Sequence, residues 1–156
     1  MTDWKKLVVS IAVCQLAGIL GSFFTIQNIP NWYATLNKPL FSPPNWLFGP
    51  VWTLLYLGMG VSLYFIWIKK KSTVRDLAIK IFAIQLFLNF LWSFLFFGMR
   101  NPAIGLIGII ALWLSIAATF IKFKPIDQRA AFLLVPYIFW VSFAAALNFY
   151  IWQLNP

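Results

Sequence analysis

The side chains able to do chemistry in this chain are almost all aromatic or amide. In one apolar run Gln85, Asn89, Trp92 and Phe96 recur at i, i+4, i+7 and i+11, the spacing of a single helix face. In the last run Tyr137, Trp140, Ala144 and Asn148 recur at i, i+3, i+7 and i+11, and an earlier run carries Trp52, Tyr56 and Met59. Such stripes supply flat π-faces for stacking, a few amides for orientation and indoles that are readily oxidised. Their convergence predicts an apolar small-molecule pocket with few polar groups. The amides have a second reading of equal standing. Gln85, Asn89 and Asn148 would then only bond neighbouring helices, each worth ~0.6–2 kcal/mol.

Other chemistries are excluded by what is missing. The chain has no histidine, and its one cysteine, Cys14, rules out an internal disulfide and a cysteine-based metal site. No Asp, Glu, Lys or Arg falls inside an apolar run away from its ends, as proton relays and ion-coupled transporters require. No carboxylate pair or Ser/His/Asp set exists for hydrolysis. No metal site and no permanently bound cofactor are therefore expected. Of the 156 residues, 62% are hydrophobic and 10% charged, and the mean hydropathy is +0.84. A soluble domain carries roughly a quarter charged residues, so the expected partner is the lipid bilayer. The net charge of +9 does not indicate nucleic acid, because the cations sit at the edges of apolar runs.

Those runs are the elements that must position the stripes. A transmembrane helix needs ~20 mostly apolar residues. Five such runs, at about 7–26, 46–68, 77–99, 103–121 and 130–152, predict a single-domain, all-α integral membrane protein, a bundle of five transmembrane helices. The first is read as a true span rather than a cleaved signal peptide. Thr73 with Asp76 predicts a capping box, Asn101-Pro102 a helix start, and Asp127 a cap for the fifth helix. Ser42 or Asn45 is the candidate cap of the second helix, and Pro136 should kink the fifth.

Ten of the twelve cations fall on the side shared by the N-terminus and the segments 69–76 and 122–129. Cytoplasmic segments carry the Lys and Arg excess, so the N-terminus is expected inside, with the C-terminus and the segment 27–45 outside. That segment holds Trp32, Tyr33 and Lys38 and is stiffened by Pro39, Pro43 and Pro44. It is read as a lid over the converging stripes. Trp4, Trp46, Trp67 and Trp152 are assigned to the aromatic belts at the bilayer interfaces. Small residues form a stripe at Gly105, Gly108, Ala111, Ser115 and Ala118, and another at Ser10, Cys14, Ala17 and Gly21. Either face serves internal packing or a homodimer.

Several of these residues also carry a resemblance. Trp32-Tyr33, Lys38-Pro39, Pro43-Pro44, Trp46, Phe48-Gly49-Pro50-Val51-Trp52-Thr53, Tyr56, Met59-Gly60 and Tyr64 resemble the first-loop and second-helix signature of the translocator protein family. Members of that family are also called tryptophan-rich sensory proteins or peripheral benzodiazepine receptors. Asn89-Phe90-Leu91-Trp92-Ser93, Phe96-Phe97, Pro136-Tyr137, Trp140, Phe143-Ala144 and Leu147-Asn148 match in the same order. The resemblance implies a homodimeric cell-membrane protein that binds protoporphyrin-type tetrapyrroles and isoquinoline carboxamide or benzodiazepine-type drugs. It also implies light-dependent porphyrin breakdown, with passive transport, scavenging or stress sensing as alternatives.

On that reading Trp32, Tyr33, Lys38, Trp52, Tyr56, Asn89, Trp92, Tyr137, Trp140, Ala144, Leu147 and Asn148 hold the ligand, and Lys38 or Arg100 meets its propionates. Trp52 and Trp140 lie too deep in their runs for a belt. They either exchange an electron with the excited pigment or stack on it at ~1 kcal/mol per pair. The sterol motif associated with the family is incomplete, because no Lys or Arg follows Tyr150.

Overall fold

The computed structural model describes residues 3–156. All its regular elements are helical: α1 (Asp3–Asn28), α2 (Asn45–Trp67), α3 (Thr73–Ser93), α4 (Pro102–Phe123), the short α5 (Gln128–Phe132) and α6 (Val135–Leu154). Five stretches are long and apolar enough to cross a membrane, α5 and α6 forming the last. The expected five-helix membrane bundle is thus the observed fold. Around its perimeter α2 lies against α1, α1 against α3, α3 against α4 and α4 against α6, while α5 returns to α2.

Hydrocarbon is as apolar as leucine, so the helices gain little from hiding apolar surface and must instead approach closely. The small-residue stripes do this. A Cβ on Gly105 would lie 2.7 Å from the Phe96 ring, and one on Gly108 would lie 2.7 Å from a Leu95 methyl. A Cβ on Gly21 would meet Ser93 Oγ at 3.1 Å. These contacts are internal, so both stripes serve packing within the bundle. The tightest crossing joins α1 to α2, where a Cβ on Gly60 would sit 2.6 Å from the Ile11 Cα.

Several local expectations are corrected. The first helix does not stop at 26. It runs to Asn28 and continues as a π-helical turn through Ile29–Tyr33. Pro30 removes one backbone donor, but Asn28 Nδ2 donates to the Phe24 carbonyl (2.8 Å) and Asn31 Nδ2 to that of Gln27 (2.9 Å). Trp32 and Tyr33 therefore sit on a helix end rather than in the lid, and the true connection is only 34–44. Neither Ser42 nor Asn45 caps α2, whose N-cap position is Pro44. The cap of α3 is Ser72, one residue before the expected Thr73, and it accepts from the Arg75 N–H. The fifth run does not kink inside a helix. It breaks at Leu133–Leu134, and Pro136 lies in the first turn of α6. The third helix ends in a second π-helical turn, Phe94–Gly98, before Arg100 adopts a left-handed φ of 52°.

Asn101 and Asp127 cap as expected. Asp127 does more than cap. Its carboxylate takes Arg129 Nη2 at 2.8 Å and Lys69 Nζ at 2.7 Å, pinning α2 to the start of the last span. Hydrogen bonding to Arg129, with the Lys69 ammonium beside it, holds this carboxyl well below the usual range. A group with a depressed folded pKa stabilises the fold above its unfolded value and loses that effect as pH falls through the folded one. The clamp is complete at neutral pH and weakens only in strong acid. Asp127→Ala should lower stability by about 1–2 kcal/mol through loss of the cap and both ion pairs, read as a lower Tm in detergent at pH 7. A Tm unchanged within a degree would show that the clamp is idle.

Candidate ligand cavity

A cavity of about 440 Å³ lies between α1, α2 and α3, in the half of the bundle next to the 34–44 connection. That volume is within the ~300–1,000 Å³ usual for small-molecule sites. Its inner wall is built by Trp52 and Tyr56 on α2, Asn89 and Trp92 on α3, and Phe97 on the π-turn after α3. The rings form a shallow continuous surface. Trp52 lies 5.8 Å from Tyr56 and 6.1 Å from Trp92, with interplanar angles of 34° in both pairs.

Behind this wall runs a buried polar chain. Tyr56 donates to Asn89 Oδ1, Asn89 Nδ2 donates to the Tyr137 hydroxyl, and Tyr137 donates to Gln85 Oε1 at 3.1 Å. Gln85 Nε2 ends the chain on Met59 Sδ at 3.8 Å. Asn89 therefore joins α2, α3 and α6. It combines both readings left open by the sequence, since it bonds neighbouring helices and also lines the cavity. Asn148 follows the packing reading, accepting from Trp92 Nε1 (3.3 Å) and donating to the Pro102 carbonyl (2.7 Å).

Four of the sequence-derived candidates, Trp52, Tyr56, Asn89 and Trp92, line this cavity. Tyr137, Ala144, Leu147 and Asn148 are buried in the core behind it. Trp32 packs edge-on against Phe96 and Phe97, and Tyr33 lies tilted against the same two rings. Trp140 is separated from the cavity by Phe48, whose ring lies 6.1 Å from Trp140 and 6.4 Å from Tyr33. Lys38 Nζ donates to its own segment, at the Leu36 carbonyl (2.9 Å), and lies 4.9 Å from the Tyr33 ring centre. Arg100 donates to Asn28 Oδ1 at 2.9 Å. Neither cation lines the cavity. The three stripes thus meet at Trp52 and Asn89, but the residues of the α6 stripe stand behind the cavity wall rather than in it.

The sequence reading missed the α1 wall, made of Gln15, Gly18, Ile19, Ser22, Thr25 and Ile26. A signal was present, since Gln15, Gly18, Ser22 and Thr25 repeat at helical spacing, one face round from the small stripe. Beside Phe48, the buried Trp140 indole N–H has no hydrogen-bond partner. Leaving such a group unpaired costs ~1–3 kcal/mol.

Five helices long and apolar enough to cross a membrane, three of them enclosing an aromatic-walled cavity, define a multi-pass membrane protein. Residues 10–153 match the profile of the TspO/MBR family. The chain is 49% identical over 151 residues to "Tryptophan-rich protein TspO" of Archaeoglobus fulgidus, covering 96% of this chain and 97% of that one. It is 46% identical to the protein of the same name from Chlorobaculum tepidum, over 96% of each chain. It is 35% identical to "Translocator protein" of Bos taurus, over 97% of this chain and 91% of the other. The chain belongs to the TspO/MBR family.

Asn89→Leu removes the bridge from two buried hydroxyls, of which only Tyr137 keeps another partner, Gln85. It should lower stability by about 1–3 kcal/mol. A melting curve identical to the parent's would mean that the chain contributes nothing.

Proposed function

We propose that this protein binds a planar tetrapyrrole, of which protoporphyrin is the type, in the cavity between α1, α2 and α3. The same cavity takes isoquinoline carboxamide or benzodiazepine-type drugs. The observation that carries the reading is the tilted surface of Trp52, Tyr56 and Trp92 in a cavity whose polar groups are few. Offset aromatic stacking on such a surface is worth ~0.5–1.5 kcal/mol per pair beyond area burial. In this reading the protein acts as a homodimer in the cell membrane, with the basic end inside and the 34–44 connection outside.

Light-dependent conversion of the porphyrin follows from the same contact. Trp52 and Trp92 are the indoles of the inner wall. In this reading Trp52 gives one electron to the excited ring and the reduced ring passes it to dioxygen. The Trp52 radical cation then takes an electron back from the ground-state ring, and superoxide adds to the resulting ring radical cation, so the net change is addition of O2 to the porphyrin. Trp140 stands behind Phe48 with an unpartnered indole N–H, so a ligand that displaced Phe48 would gain a donor and a second indole. Transport is less well supported. The half of the bundle near the basic end is closed by fully buried Met59, Ile66, Phe82 and Phe123.

Three measurements test this reading. An isoquinoline carboxamide should compete with protoporphyrin for one site, and Trp52→Ala should weaken both ligands about tenfold. Full drug binding with porphyrin affinity untouched would separate the two sites. Trp52→Phe should keep porphyrin binding and lose most of the light-driven conversion, whereas a parental rate would assign the photochemistry to the pigment alone. In a Cys14→Ser background, an impermeant thiol reagent on intact cells should label a cysteine placed at Asn37 and spare one at Ser72. The reverse pattern would invert the orientation.

A further inference from the structure

Whichever planar molecule occupies the cavity, it must have a way in. We propose that it enters and leaves sideways, out of the bilayer, through a doorway between α1 and α2, while the connection above stays shut. This rests on the reading that the cavity takes a lipophilic planar ligand, and it adds the route and hence the source. The ligand is delivered dissolved in membrane rather than in water.

The doorway has two jambs at helical spacing. On α1 they are Ile19, Ser22 and Ile26, and on α2 Trp46, Gly49 and Thr53, all six lining the cavity. Most of them also face outward. Trp46 is 71% exposed and Ile26 68%, on the flank of the bundle that faces lipid in a membrane-spanning helix pair. A Cβ built on Gly49 meets nothing within 4 Å, so the gap beside it is open. Below the doorway the helices close. Gln15 Nε2 donates to the Thr53 carbonyl at 3.1 Å, and a Cβ on Gly18 would meet the Tyr56 ring at 2.5 Å. The opening therefore begins about a turn above Gln15 and runs towards the end of α1, a length of ~10–14 Å at 1.5 Å per residue.

The chemistry of the jambs suits hydrocarbon. Ser22 Oγ donates to the Ile19 carbonyl (2.6 Å) and Thr53 Oγ1 to the Gly49 carbonyl (2.9 Å). Their hydrogens are already used, so no unpaired hydroxyl donor is presented to the bilayer, where an unsatisfied group costs several kcal/mol.

The route from above is blocked at three points. Phe48 stands between the cavity and Tyr33. Asn37 and Asn155 are joined reciprocally, with the Asn37 N–H on Asn155 Oδ1 (3.0 Å) and Asn155 Nδ2 on the Asn37 carbonyl (2.9 Å). Phe41 lies edge-on against Tyr150 at 5.5 Å and Phe143 at 6.1 Å. Among the described residues, none between 30 and 44 lines the cavity.

The test is stopped-flow association and dissociation of protoporphyrin, followed by tryptophan quenching, on the full chain in lipid nanodiscs. The parent is Cys14→Ser. One variant, Asn37→Cys with Asn155→Cys, is joined by a short thiol cross-linker that fixes the connection to the C-terminus. Another, Gly49→Leu, places a side chain in the doorway, where nothing obstructs it in the fold. The expected result is that the cross-link leaves both rates within about twofold. Gly49→Leu should slow both by tenfold or more with a much smaller change in affinity. A tenfold slowing by the cross-link, or parental rates in Gly49→Leu, would overturn the doorway. So would a Gly49→Leu variant that only releases ligand faster, which would make position 49 part of the pocket wall. Absence of any binding by the parent would instead defeat the functional reading on which the route rests.

Discussion

In a bilayer interior every polar group must find its partner inside the protein, and Asn89 is where this chain meets that demand. Its one carboxamide accepts from Tyr56 and donates to Tyr137, so three helices share one residue. The rest of the polar chain extends to Gln85 and Met59. Because the partners are tyrosines, the network also fixes ring orientations. Tyr56 is held with its ring turned to the cavity and its hydroxyl to the core, and Trp52 packs on both Tyr56 and Tyr137. The tilted aromatic wall of the cavity is thus a by-product of satisfying buried hydroxyls.

The second constraint is steric. Gly60 lets α2 touch the α1 backbone at Ile11, and Gly18 lets α1 touch the ring of Tyr56 on α2. Beyond Gly18 the two helices leave room between them, and Gly49 keeps that room clear. The pattern of glycines along α1 and α2 therefore divides the pair into a closed half and an open half. The closed half is anchored at its end by Ser62, whose hydroxyl donates to the Ala130 carbonyl at 2.7 Å, and by the Lys69–Asp127–Arg129 cluster.

Much of this was legible in the sequence, and the failures have physical causes. The number and order of spans follow from apolar run length alone. Asn101-Pro102 and Asp127 act as caps because short polar side chains before an apolar run have few other roles. The end of α1 is placed at 26 by the apolar run, which stops there, whereas the helix continues through polar residues whose amides bond back to it, Asn28 to the Phe24 carbonyl and Asn31 to that of Gln27. The location of the cavity was half legible. Stripes of Trp52, Tyr56, Asn89 and Trp92 show which faces turn inward, but not which pair of helices separates. Trp140 and Asn148 have the same kind of stripe, yet α6 uses it against α3, α4 and Phe48. The sequence shows that Lys38 is a lone cation in an aromatic segment, but not that its ammonium folds back onto the backbone carbonyls of Ala34 and Leu36.

The central claim is the position of the ligand, in the space between α1, α2 and α3. The most direct measurement is an experimental structure of the protein in lipid with protoporphyrin bound, read for the position of the ring. The account predicts density for the macrocycle against Trp52, Tyr56 and Trp92, with Gln15, Ser22 and Gly49 around its edge. Density between α2 and α6 beneath the 34–44 connection, with the α1–α2 space empty or filled by lipid, would contradict it.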